Sequence, residues 1–168
     1  RVRSLIDVGT GAGFPGIPVA IAFPEIEVTV IDSTRKKIDF IRTAVREIGL
    51  TNVKALHLRA EDGARDPALR ESFDLATARA VAALDLLLEW LLPFVRVGGA
   101  AVALKGDSVD EELPAAKDIA PKLGGALLAP ERFNIPMSAI ERSFVVARKD
   151  SRCSATYPRP ATQARKRH

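Results

Sequence analysis

Apolar runs of strand length alternate along this chain with longer stretches whose apolar positions recur at helical spacing. Val2 to Val8 is the first run, and a glycine-rich segment separates it from Ile17 to Phe23, which reads as a short helix. Glu27 to Asp32 predicts a buried strand ending on an acid. Thr34 to Leu50 places Ile38, Ile41, Ala44, Val45 and Ile48 on one helical face, with Gly49 as its stop signal. Val53 to Leu58 alternates as a third strand and Phe73 to Ala78 makes a fourth, with Arg65 to Ser72 between them as a short helix or loop. Ala82 to Phe94 predicts an apolar helix closed around Pro93, and Gly99 to Leu104 a fifth strand.

Strands alternating with helical crossovers form a parallel sheet covered on both faces, with ligands at the C-terminal ends of the strands. The last third departs from this repetition. Val109 to Leu123 predicts a helix, Ala126 to Ile135 an extended segment and Ser143 to Ala147 a last strand. The link between the last two is too short for a helical crossover, so they should pair antiparallel. The expected fold is α/β and Rossmann-like: a mostly parallel, seven-stranded sheet with an antiparallel last strand and helices on both faces.

The segment Asp7-Val8-Gly9-Thr10-Gly11-Ala12-Gly13-Phe14-Pro15-Gly16 falls directly after the first strand. Glycines there let a ligand lie against main-chain N–H groups. Gly11 to Gly16 satisfies the dinucleotide fingerprint, in which a helix N-terminus receives a pyrophosphate. Asp7 to Gly13 also satisfies acid-x-Gly-x-Gly-x-Gly, the loop of S-adenosylmethionine-dependent methyltransferases. Phe14, Pro15 and Pro18 favour the second frame, because a ring and two prolines crowd or remove the N–H groups a pyrophosphate needs. The antiparallel last strand favours it too. A nicotinamide-dependent oxidoreductase, a noncatalytic nucleic-acid-binding module and a turn without a ligand remain as alternatives.

Other strand ends carry further candidates. Asp32 is placed to accept hydrogen bonds from ribose hydroxyls, with Ser33 as a ligand-contacting hydroxyl and Thr34 as a helix cap. Ala60 and Glu61 suit an adenine edge, although Glu61 could equally cap a helix. Arg79 and Lys105 are cations at neighbouring strand ends, where one cleft would bring them together. Arg35-Lys36-Lys37 opposes a helix macrodipole and hints at an anionic partner. His57 lies within a strand and His168 at the terminus, so neither is a convincing general base. Cys153 lies off any strand rim, and no metal constellation exists.

Composition adds the compartment and the charge asymmetry. With 168 residues, 47% of them hydrophobic, the chain suffices for one domain, and its mean hydropathy of +0.06 and lack of a long apolar stretch argue against a membrane protein. The lone Cys153 fits a reducing cytoplasm. The net charge is +4 and its positive excess is confined to the end: after residue 150 there are five cations, Arg152, Arg159, Arg165, Lys166 and Arg167, and no acid. Residues 1–150 therefore read as the domain and 151–168 as a basic tail able to neutralise RNA phosphates. The chain opens at Arg1 on the edge of a core strand, as a fragment with its upstream part missing would.

Together, Asp7 to Pro18, Asp32-Ser33 with Lys36-Lys37 and Phe40, Arg59-Ala60-Glu61, Phe73-Asp74, Ala78-Arg79-Ala80, Leu104-Lys105-Gly106 and Tyr157-Pro158-Arg159 strongly resemble the small-subunit ribosomal RNA guanine-N7 methyltransferase family, also called glucose-inhibited division protein B. The resemblance runs from Arg3 to about Arg159. It implies a class I S-adenosylmethionine-dependent fold and methyl transfer to N7 of a guanosine in the decoding region of bacterial 16S rRNA. It implies that Asp7, Gly9, Gly11, Gly13 and Phe14 contact the cofactor from the first loop, Asp32 and Ser33 its ribose, Ala60 and Glu61 its adenine, and Arg79 the cleft near the methyl group. Arg35, Lys36, Lys37, Lys105 and Arg159 are the expected contacts to 16S rRNA or the small ribosomal subunit, on charge and position more than on resemblance. Two features depart from the family: its helical segment before the first strand is absent here, and residues 160–168 do not match its usual ending.

Overall fold

The computed structural model describes residues 1–79, 82–106 and 109–160. Strands β1 (Ser4–Val8), β2 (Glu27–Asp32), β3 (Val53–His57), β4 (Phe73–Arg79) and β5 (Val95–Lys105) alternate with helices α1 (Gly16–Ala22), α2 (Arg35–Ile48), α3 (Ala60–Gly63) and α4 (Leu84–Leu91). Helix α5 (Val109–Ile119) and strands β6 (Gly125–Leu127), β7 (Glu131–Asn134) and β8 (Glu141–Lys149) complete the chain's regular structure. The sheet order is β3-β2-β1-β4-β5-β8-β6, with β7 also on β8. The first five strands pair in parallel, and β8 runs antiparallel to β5, β6 and β7. The chain steps from β1 outward to β3, then crosses back to β4 on the other side. That reversal opens a crevice beyond the C-terminal ends of β1 and β4.

The sheet has eight strands where the pattern predicts seven. Residues 128–130 interrupt the segment expected to be continuous from Ala126 to Ile135, and Pro130 lacks the N–H that a ladder would need there. The two halves pair with opposite ends of β8: Gly125 is opposite Lys149 and Asn134 opposite Glu141. Two expected helices also end early in tighter turns, over Leu92–Phe94 and Ala120–Leu123, each with a proline near its start. Residues 65–72 form turns, and the short helix lies before them at Ala60–Gly63.

Alternation along the strands builds a core on each face of the sheet. Leu5, Val28 and Val30 pack with Ile17 and Ala20 of α1 and Ile38 and Ile41 of α2. Ile6, Val8 and Ile31 belong to the opposite core, with Leu84, Leu87, Leu88 and Leu91 of α4 and Val109 and Ala116 of α5. At the N-terminal rim the Asp74 carboxylate accepts from the Arg3 and Ser4 N–H groups and from Arg96. Burial alone would raise its carboxyl; those donors and the Arg96 charge bring it down to about 2.

The stretch after β8 is part of the domain rather than a free tail as far as residue 160. Cys153 and Pro158 are buried, and Arg70 donates to the carbonyls of Cys153, Ser154 and Tyr157. Arg165, Lys166 and Arg167 lie outside the described residues.

Candidate active site

The loop after β1 is built around a buried carboxylate. Asp7 Oδ2 accepts the Thr10 hydroxyl at 2.5 Å and the Gly16 N–H at 2.9 Å, while Oδ1 is buried with no hydrogen-bond partner among the described residues. Gly9 and Thr10 donate their N–H groups to Ile31 of β2, and Gly11 donates its own to Asp32 Oδ2 at 3.0 Å. Gly11 has φ +63°, and a Cβ there would find nothing within 4 Å, so its α-carbon faces open space that a ligand can enter. At Gly16 the reason for glycine differs: a Cβ would stand 2.6 Å from Val30 Cγ1 and 3.0 Å from Asp7 Oδ2. Only a residue without a side chain lets α1 start this close to β2 and to the carboxylate.

These contacts leave no place for a pyrophosphate at the start of α1. The Gly16 N–H is taken by Asp7, the Ile17 N–H by the Gly13 carbonyl, and the Val19 N–H by the Pro15 carbonyl. Pro15 and Pro18 have no N–H to give. A phosphate would also meet the Asp7 carboxylate where the dinucleotide motif requires free donors.

The open space beside this loop is a cleft of about 250 Å³ at the C-terminal ends of β1, β2 and β3. Gly9, Asp32, Ser33, Ala60 and Glu61 line it together, and Lys37, Leu58 and Trp90 join them. Asp32 is almost buried; its Oδ1 accepts the Thr34 N–H at 2.8 Å and its Oδ2 the Gly11 N–H. Each carboxylate oxygen keeps a further lone pair, so Asp32 both shapes the loop and can accept from a sugar hydroxyl. Thr34 stands at the N-cap of α2, but its hydroxyl makes no capping bond; Asp32 caps that turn instead. His57, opposite Asp32 in β3, holds the Ser33 carbonyl through Nε2 at 2.9 Å and faces away from any acid–base role in the cleft. An apolar side of Leu58, Ala60 and Trp90, a carboxylate at sugar height and a glycine loop fit a nucleoside that carries an amino-acid group.

Asp7, Gly11, Gly13, Phe14 and Arg79 are outside that lining, and the bare α-carbon of Gly13 is turned onto Ile17 of α1, where a Cβ would stand 2.6 Å from Cγ1. Phe14 is half-exposed, and the Arg79 guanidinium carbon lies 5.8 Å from its ring centroid, which joins the β1 loop to the end of β4. Arg79 is near enough to Asp7 for its charge to oppose the upward push of burial on that carboxyl, which still stands at about 6.

The two strand-end cations do not share a cleft. Lys105 is buried, donates to the Ala82 carbonyl at 2.8 Å and pairs with Glu112 Oε2 at 2.8 Å, and the same Glu112 oxygen accepts the Leu84 N–H at the start of α4. It fastens β5 to the segment that follows Arg79 and is not free to meet RNA. Arg159 is likewise spent: its N–H, Nε and Nη2 all donate to the buried Glu89 of α4. Arg35 and Lys36 are exposed, whereas Lys37 points back to Asp32 at 3.6 Å. Sequence reasoning missed Trp90, the only tryptophan of the chain, because an apolar helix does not announce which of its residues reaches a cleft.

Residues 1–134 match the family described as GidB, rRNA small subunit methyltransferase G. The chain belongs to that family. Its relatives include the ribosomal RNA small subunit methyltransferase G of Clostridium beijerinckii, 48% identical over 94% of this chain and 66% of the relative, and that of Clostridium botulinum, 47% identical over 99% and 70%. The chain thus spans about two thirds of the length of these members. Among solved structures, a variant of a 16S rRNA (adenine(1408)-N(1))-methyltransferase from Catenulisporales acidiphilia superposes with a TM-score of 0.73 at 18% identity, covering 90% of this chain and 87% of that one. At that identity the likeness extends to the fold, the class I methyltransferase sheet. The committed donors at the start of α1 leave this loop without the free N–H groups that the pyrophosphate of a dinucleotide needs.

Proposed function

We propose that this chain carries the catalytic part of an S-adenosylmethionine-dependent methyltransferase acting on N7 of a guanosine in the decoding region of bacterial 16S rRNA, in the cytoplasm, on the RNA or the small ribosomal subunit. The observation that carries the cofactor reading is the Asp7 carboxylate on the Gly16 N–H, which closes the helix start to phosphate and keeps negative charge beneath the glycine loop. S-adenosylmethionine, when bound, supplies an electrophilic methyl group on a sulfonium centre. Gly9 and Gly11 give its amino-acid part room, Asp32 and Ser33 receive the ribose, and Ala60, Glu61 and Trp90 surround the adenine.

Guanine N7 offers its lone pair without losing a proton first, so transfer needs no general base. Placing that nitrogen in line with the methyl group is then the main catalytic task. Arg79, at the rim and backed by Phe14, is the group to hold the guanine edge there, by donating to O6 and leaving the N7 lone pair free for the methyl group. Lys36 stands exposed for the phosphates of the same RNA.

The deciding experiment offers labelled S-adenosylmethionine with 16S rRNA and, separately, with small subunits, and locates the methyl group by borohydride and aniline cleavage, which reads 7-methylguanosine. Cleavage at one decoding-region guanosine is expected. Methyl groups elsewhere, or none on either substrate, would overturn the reading.

A further inference from the structure

A second groove, of about 510 Å³, runs along the free edge of the sheet between α2 and β3. Arg35 and Arg42 from α2 and Lys54 and His57 from β3 line it, with Asp66 as the carboxylate among its lining residues. Leu58 lines both this groove and the first cleft, so the two are neighbours. Arg35 and Lys54 are exposed, and neither has a carboxylate within 4 Å among the described residues. Arg42 spends Nε and Nη2 on the Ala55 carbonyl and meets Asp39 at 3.5 Å. Asp66 turns Oδ1 to the Ala68 N–H. The groove is therefore a concave, positively charged surface whose one acid is partly engaged elsewhere.

The fold gives Arg35 and Lys54 no carboxylate partner among the described residues. Arg35, Lys36 and Lys37 open α2 with no acid in the first turn, which works against the helix dipole. Lysine on an edge strand discourages strand addition, but that accounts for Lys54 alone. A polyanion that already occupies the neighbouring cleft is the molecule best placed to reach the groove.

We propose that this groove binds phosphates of the RNA strand that leads away from the target guanosine, a second contact outside the catalytic cleft. The proposal rests on the RNA-methyltransferase reading above. A contact of this kind adds salt-dependent affinity for RNA without touching the reacting atoms, so it changes KM and leaves kcat alone.

The test uses the chain with both groove cations removed, Arg35→Gln with Lys54→Gln, beside Arg46→Gln as a loss of exposed charge outside the groove. S-adenosylhomocysteine affinity, RNA affinity by fluorescence anisotropy, and kcat and KM for methyl transfer to 16S rRNA are measured across a series of KCl concentrations. The double variant should bind RNA roughly tenfold more weakly at low salt, with a salt slope smaller by about 1 to 2, and with kcat and S-adenosylhomocysteine affinity unchanged. Lys54→Arg should behave as the parent and Arg46→Gln should show no loss. RNA affinity and slope equal to the parent's in the double variant, with the parent active, overturn the groove and leave the methyltransferase reading standing. An equal loss in Arg46→Gln reduces the effect to net charge and also overturns it. A parent chain that transfers no methyl group to RNA overturns the underlying reading, and the groove as a substrate contact with it.

Discussion

Arg79 and Phe14 meet with the guanidinium carbon 5.8 Å from the ring centroid, so a residue of the glycine loop sets the direction of the arginine at the end of β4. Phe14 is 47% exposed, and a cation–π contact at such a site is worth about 0.5–1 kcal/mol. That is too little to hold the fold and enough to bias a side chain. Arg79→Ala is expected to lower methyl transfer by roughly a hundredfold or more by releasing the guanine from its in-line position. Its melting temperature should stay within a few degrees of the parent's. Phe14→Leu keeps the arginine and loosens it, so kcat should fall only about two- to fivefold. Steady-state kinetics with thermal unfolding decide both; an active Arg79→Ala chain would remove Arg79 from the machinery.

Asp7 is expected to make stability and ligand binding depend on pH in opposite directions. Burial lifts its carboxyl from 3.8 to about 6, against the Thr10 and Gly16 hydrogen bonds and the Arg79 charge. The folded chain thus holds this proton more tightly than the unfolded one. Its stabilising contribution is complete below about pH 4, lost as pH rises through about 6, and absent at neutrality, a change on the order of 3 kcal/mol. Asp7→Asn keeps an acceptor for the Gly16 N–H and should flatten this loss between pH 4 and 6, with neutral stability equal to the parent's or higher. Affinity for S-adenosylhomocysteine, whose ammonium group favours the charged carboxylate, should fall in the parent below about pH 6 and be weak and nearly pH-independent in the variant. Urea unfolding and calorimetry across that range read both. The same stability slope in Asp7→Asn would assign it to another group.

The contrast between Asp32 and Lys105 shows which parts of this site are legible in sequence. Asp32, Gly9 and Ala60–Glu61 are legible because each stands at or just beyond the end of a strand, and the end of a strand in a parallel sheet is already an address in space. Lys105 also ends a strand, yet its role depends on Glu112 across a helix start, and the role of Arg159 depends on Glu89, seventy positions earlier. Pattern shows a cation; it does not show the carboxylate that consumes it. The same holds for β6 and β7, where Pro130 signals a break but the return of both pieces to β8 is a tertiary fact.

Trp90 gives the proposed cofactor cleft a reporter of its own. It is the only tryptophan and lines the cleft opposite the glycine loop, with its indole nitrogen buried and unpartnered among the described residues. Titration with S-adenosylhomocysteine should change its emission saturably, NAD should leave it unchanged, and Asp32→Ala should shift the midpoint to higher concentration. Trp90→Phe should abolish the signal while calorimetry still detects binding, weakened several-fold by the smaller contact area. A calorimetric signal with silent fluorescence in the parent would place the ligand away from this helix.

Arg159 tests whether the cations after β8 serve RNA or the fold. Glu89 is 1% exposed and accepts three donors of Arg159, one of them its main-chain N–H. Arg159→Ala keeps the main-chain bond but leaves the carboxylate buried without a counter-charge, a change that costs about 3 kcal/mol when one partner of such a pair is removed. The partial exposure of Arg159 places the expected loss at or slightly below that figure. Glu89→Leu combined with Arg159→Ala removes both charges and should recover most of the stability, which a pure RNA ligand could not explain. At a temperature where Arg159→Ala is folded, its RNA affinity and salt slope should equal the parent's. Should the melting temperature instead hold and the salt slope fall by about 1, Arg159 would be reaching phosphate, and the ion pair with Glu89 would open when RNA binds.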